Sequence, residues 1–219
     1  MTSVTLARVL GLLVVLKAVE LALLLSAPWW VAAGLAVSGV ATFLSPRMGS
    51  TAIAVTTLAL LVGGYYSNHM TLVMWVATTL AVFGDDSQQR FVLRCQLAIM
   101  YLFAATAKLW PSWLTGGAIA TTWVGPFLPP RLIEIAAWAT ILVEFALALG
   151  VWSRQRFWLW MAVATHLAIF IFSIRTLRGS FIQLLIFNGL AAALWFRAHR
   201  SLWADEPRQR AAWSTIDAR

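Results

Sequence analysis

Apolar residues in this chain fall in blocks of roughly 15 to 22, each about long enough to cross a hydrocarbon core of about 30 Å as a helix. Polar or Gly/Pro punctuation separates most of them: SPRMGS, GDDSQQR, SRQR and IRTLRGS. A chain of 219 residues that is 61% hydrophobic and 11% charged has too few charges to cover a water-facing surface. The expected fold is therefore all-α and integral to a membrane. It is a polytopic helical bundle of about eight spans, some of them short or re-entrant, at about 4–25, 29–44, 51–66, 69–83, 91–109, 132–152, 157–173 and 181–196. No polar segment is long enough to fold separately. The reading is one transmembrane domain over 1–197 and a basic cytoplasmic tail over 198–219. The Trp/Gly-rich stretch 113–125, between Pro111 and Pro126, is too short to cross and reads as re-entrant or interfacial.

The net charge of +8 sits between the apolar blocks and in the tail. Positive-inside sorting and anionic lipid account for it better than nucleic acid, which is excluded as a partner. Arg8, Arg47, Arg90, Arg156 and Arg197 fall on the side shared by both termini, against Arg131, Arg175 and Arg178 on the other. That bias makes both termini cytoplasmic in a cell membrane, plasma or inner. Lys17 and Glu20 interrupt the first apolar run and no small-residue cleavage site follows, so it reads as a retained span. The single cysteine, Cys95, rules out an intrachain disulfide and a multi-thiolate metal site. Three scattered histidines have no metal-ligand spacing. No phosphate-binding loop or nucleophile elbow is present.

Ionisable groups inside spans are costly and mark sites. A rise of about 1.5 Å per residue puts Lys108 about 27 Å beyond the cytoplasmic start of its helix, near the outer face. His69, after Asn68, shares that side, as do Lys17 with Glu20, and Arg175 with Arg178. Glu144 and His166 fall at nearly one depth, about 18 Å from the outer end of one span and about 14 Å from the inner end of the next, so they are expected to pair. Together these residues outline an outward-facing cavity with a polar floor. Each also has a plain structural reading. Lys108 is then a snorkelling anchor, Lys17–Glu20 an intramembrane pair, His69 a turn residue, Glu144–His166 a buried tie, and Arg175 with Arg178 lipid-headgroup contacts. Asp85 and Asp86 read as solvated.

Three segments carry a family resemblance. In order they are SNHMTLVMWVATTLAVFGDD, RCQLAIMYLFAATAKLWPSWLTGGAIATTW and VEFALALGVWSRQRFWLWMAVATHLAIFIFSIRTLRGSF. Over about residues 60–195 the chain resembles the membrane core of the vitamin K-dependent gamma-glutamyl carboxylase family, whose bacterial relatives are grouped as HTTM, the horizontally transferred transmembrane domain. The middle segment is the most specific, with Tyr101, Lys108, Trp113 and Gly116 in order. In that family a lysine at the end of such a helix deprotonates vitamin K hydroquinone. The deprotonated quinol then reacts with dioxygen, and the resulting strong base removes a proton from a glutamate γ-carbon. Lys108 matches this lysine, His69 matches a histidine that stabilises the deprotonated oxygen, and His166 matches a later histidine. The resemblance implies a quinone cofactor, menaquinone or vitamin K-like, and a cavity that also includes Tyr101 and Trp113. A lysine base must be neutral, so its surroundings must disfavour the ammonium.

The chain departs from the family in two respects. The family's animal members carry a large extracytoplasmic domain with no counterpart here, and Ala107 stands where they have a second lysine. Peptide carboxylation therefore does not carry over. Two readings remain. One is a carboxylase-like or oxidoreductase enzyme with Lys108 as base and His69 as oxyanion donor. The other is a non-catalytic membrane subunit or scaffold that binds lipid or quinone within a larger assembly, with a membrane-protein partner or as a homo-oligomer. Paired broken helices of repeat halves are not evident, which sets a transporter aside.

Overall fold

The computed structural model describes residues 2–23, 28–64, 68–84, 86–122, 125–153, 155–173 and 181–199. Every regular element among them is helical: α1 (Ser3–Leu23), α2 (Trp29–Leu44), α3 (Pro46–Val62), α4 (Asn68–Val82), α5 (Asp86–Ala107), α6 (Pro111–Leu114), α7 (Gly117–Ala120), a 3-10 turn (Gly125–Phe127), α8 (Pro130–Gly150), α9 (Arg156–Ser173) and α10 (Phe181–Ala198). Each of the eight apolar blocks is one long helix. The largest differences lie at two starts, α3 beginning at Pro46 rather than near 51 and α5 at Asp86 rather than near 91; α3 also ends at Val62 rather than near 66. Hydropathy sees only the apolar body of a helix. The polar first turn is set by local chemistry, with proline at N1 of α3 and an aspartate at the positive end of α5. Proline also separates α2 from α3 with a single residue, because Ser45 before Pro46 is held extended (φ −141°, ψ 102°).

Two helices, α5 and α8, are long and apolar enough to cross a membrane. Their apolar stretches bury only 28% and 33% of their residues, so they are not the interior of the molecule. By the same measure α1 has the length but carries Arg8, Lys17 and Glu20, and α2 to α4 are 15 to 17 residues long. Large apolar side chains project outward along much of the bundle, among them Val37, Val55, Phe103, Ile135, Leu142 and Phe157. Lys17, Glu20, Glu144, His166 and Asn188 are buried.

Helix α1 packs against α2, α3, α4 and α10; α10 packs in turn against α9, α5 and α4; and α5 packs against α8. The α1–α2 contact is a close backbone approach. A Cβ on Gly39 would lie 2.6 Å from the Gly11 carbonyl oxygen, and one on Gly11 would collide with Thr42. Small residues at the contact let the two helix backbones approach this closely. Hydroxyls in the packed faces return to their own helix, Thr42 to Gly39 O (2.7 Å) and Thr57 to Ile53 O (2.6 Å).

Where α5 begins and α10 ends, Asp86 accepts from both Arg90 and Arg197, Gln89 faces Arg197 (3.3 Å), and Arg94 donates to Ala198 O (2.8 Å). Asp86 keeps 45% of its side chain exposed, as expected of a solvated residue, and is also the anion of a polar layer tying α5 to α10. Asp85 lies outside the described residues, as does most of the 198–219 tail.

Candidate functional site

The stretch 113–125 does not cross the bundle. Its described residues fall in α6, α7 and the start of the 3-10 turn, and α6 and α7 pack on α8. Gly116 joins α6 to α7 in the left-handed region (φ +77°), and a Cβ there would press into Ile133 of α8. The Trp113 indole donates to Ala137 O of α8 at 3.4 Å. This seats the Trp113 ring with its centroid 5.1 Å from the Lys108 ammonium, in a cation–π contact.

Lys108 follows the last residue of α5, and its side chain turns inward. Nζ donates to both carboxylate oxygens of Glu144 at 2.7 Å and to Ala104 O at 3.3 Å. The Lys108 side chain is 19% exposed and that of Glu144 5%. A snorkelling anchor would extend its ammonium to water; this one uses its three protons inside the protein.

The expected Glu144–His166 pair does not form, and the reason is side-chain direction. Helical side chains lean toward the N-terminus of their own helix. Helices α5 and α8 run antiparallel, since the Phe91 ring lies against that of Trp152, just past α8, at one end while Lys108 meets Glu144 toward the other. Lys108 therefore leans back along α5 to Ala104, Glu144 leans the opposite way, and the two converge. His166, on α9, is bonded to Tyr101 and Asn188 instead. Depth counted along Cα positions missed this.

His166 instead joins a buried relay across three helices. Trp195 Nε1 of α10 donates to Tyr101 Oη of α5 at 2.8 Å. An indole N–H only donates, so the tyrosine hydrogen is free for His166 Nε2, 2.6 Å away. His166 Nδ1 is then the protonated nitrogen and donates to Asn188 Oδ1 at 2.7 Å. This order gives the indole N–H, the phenol O–H and the imidazole N–H one acceptor each and assigns a neutral histidine. The relay cannot pass protons onward to His199, which stacks on Trp195 at 4.9 Å, because indole cannot accept one.

Lys17 and Glu20 form their own buried pair on α1, 2.5 Å apart. The residues expected in one cavity thus fall into three groups: Lys108, Glu144 and Trp113; Tyr101 and His166; Lys17 and Glu20. The His69 side chain, Arg175 and Arg178 lie outside the described residues. Sequence reasoning missed Asn188 and Trp195. An amide inside the apolar run LLIFNGLAAALW was a usable signal for the first. Trp195 had none, being one of 13 tryptophans.

The Lys108 group places a cation, a carboxylate and an aromatic face together beside an apolar surface. That set can hold a weak acid and move its proton. No family model matches the chain, and no curated protein or solved structure matches it.

Proposed function

We propose that this chain is a multi-pass membrane protein of about eight spans, with both termini cytoplasmic, that binds a quinol headgroup at Lys108 and removes its hydroxyl proton. The observation that carries the reading is the inward Lys108 ammonium, held by Glu144 and covered by Trp113. Intramembrane ionisable groups cost several kcal/mol unless they have a task or a partner. The outward-facing apolar side chains of α2, α3, α5, α8 and α9 support lipid as the solvent. The order of the three segments resembling the carboxylase core supports quinol as the ligand, with His69 on the same side.

A second reading rests on an observation of its own. Each hydrogen bond of the Tyr101–His166–Asn188–Trp195 chain joins two buried protein groups, as a structural tie in a non-catalytic subunit would.

The test is direct. Protein purified in mild detergent is extracted and its lipids analysed by mass spectrometry. The quinol reading expects a quinone in stoichiometric amount, lost or weakened in Lys108→Met. Absence of quinone, together with no saturable binding of added menaquinol, would leave the scaffold reading in place.

A further inference from the structure

We propose that Glu144 is the final proton acceptor of this site, receiving the proton of a quinol hydroxyl by way of Lys108 Nζ; the inference rests on the quinol reading above. Its basis is the geometry of the pair. Nζ faces three acceptors, Glu144 Oε1 and Oε2 at 2.7 Å and Ala104 O at 3.3 Å, which is the bonding of an ammonium. An ammonium has no lone pair with which to take a proton. Before Lys108 can act as a base it must give one up, and the anion bonded to it is Glu144.

The exchange conserves charge. A neutral lysine deprotonating a neutral quinol would create two charges in a low-dielectric site, at large cost. With Glu144 present, one ion pair replaces another: ammonium–carboxylate before, ammonium–quinolate after. An N–H bond of the ammonium breaks as an O–H bond forms on Glu144. The quinol O–H bond then breaks as an N–H bond re-forms on Lys108. No electrons move and no other reactant is needed. Access sets the order of events. Both Glu144 oxygens are covered by Nζ and its side chain is 5% exposed against 19% for Lys108, so a ligand meets the nitrogen first.

The test uses the full chain in detergent and 4-methoxy-1-naphthol, a probe with one ionisable hydroxyl. Three signals are read: naphtholate absorption, proton release to a weakly buffered dye, and the infrared difference spectrum. The expected result is bound naphtholate, no net proton release, and a new protonated-carboxyl band that ¹³C-glutamate labelling shifts. Glu144→Gln should lack the band. Lys108→Arg should leave the probe a neutral naphthol, since arginine does not give up its proton. The labelled wild type answers the question even if a variant fails to fold. Naphtholate with an unchanged carboxylate and about one proton released per bound probe would overturn the inference and leave the quinol reading standing. Neutral naphthol bound to the wild type would also overturn it. No saturable binding of the probe would count against the quinol reading itself.

Discussion

Lys108 and Glu144, 36 residues apart in the chain, meet with both N···O distances at 2.7 Å. Glu144 lies on α8 and Lys108 just past the end of the adjacent antiparallel α5, and each side chain leans toward the other. This one contact changes Lys108 from a residue at a helix end into half of an inward-facing ion pair.

Breaking the pair from one side should be costly. Glu144→Leu leaves an ammonium without its anion and should destabilise the detergent-solubilised protein by about 3 kcal/mol, the low end for such pairs because Lys108 keeps some exposure. Lys108→Met with Glu144→Leu should recover most of that loss. Thermal unfolding of the singles and the double gives the cycle. A double equal to the sum of the singles would mean that the two residues are not partners.

Tyr101→Phe removes the group that accepts from Trp195 and donates to His166. Two buried polar groups lose a partner at once, and the expected cost is about 1–3 kcal/mol. Tyr101→Phe and His166→Gln should be non-additive, since they interrupt the same chain. Near-UV circular dichroism should also report Trp195, whose ring lies 6.2 Å from that of Tyr101.

The α1–α2 contact can be probed by one methyl group at two glycines of the same helix. Gly39→Ala would press a Cβ into the Gly11 carbonyl and Val15, and should cost about 1–3 kcal/mol or more. Gly34→Ala would meet nothing closer than the Thr56 methyl at 3.7 Å and should be nearly neutral. Equal effects in urea unfolding would contradict the close approach.

Topology is tested by labelling in a Cys95→Ala background, Cys95 being the single cysteine. A membrane-impermeant thiol reagent applied to intact cells should modify Ser112→Cys and spare Ser214→Cys, as the arginine bias requires. The reverse pattern would invert the bundle.

His199 lies just beyond α10, where burial pushes its imidazole below the ordinary range, against the pull of the Trp195 carbonyl; nearby Arg94 adds to the lowering and the Ser153 carbonyl opposes it. Unfolding then takes up a proton in the window between the lowered value and the ordinary one near 6.5. Stability from this group is complete above about pH 6.5 and declines as the pH falls through that window. Melting temperatures should therefore drop from about pH 7.5 to 5.5 in the wild type, and by less in His199→Gln. Parallel curves would remove His199 from the explanation.

The amino-acid sequence determined where helices form. Blocks of apolar residues, broken by Pro46, Pro130 and the turn at Gly64, set eight long helices, because helix-forming capacity and breakers act locally along the chain. It also singled out Lys108, Glu144, His166, Lys17 and Glu20, since a charged or titratable group in an apolar run is conspicuous wherever it lies. Only the tertiary structure decided who meets whom. Lys17 and Glu20 were legible as a pair because they share one helix face. Lys108 with Glu144, and His166 with Tyr101 and Asn188, depend on which helices adjoin, in what direction they run, and which way each side chain leans. Counting residues along a span fixes the height of a Cα to within a turn. It cannot give the azimuth of the helix or the reach of a lysine, and those two quantities chose the partners.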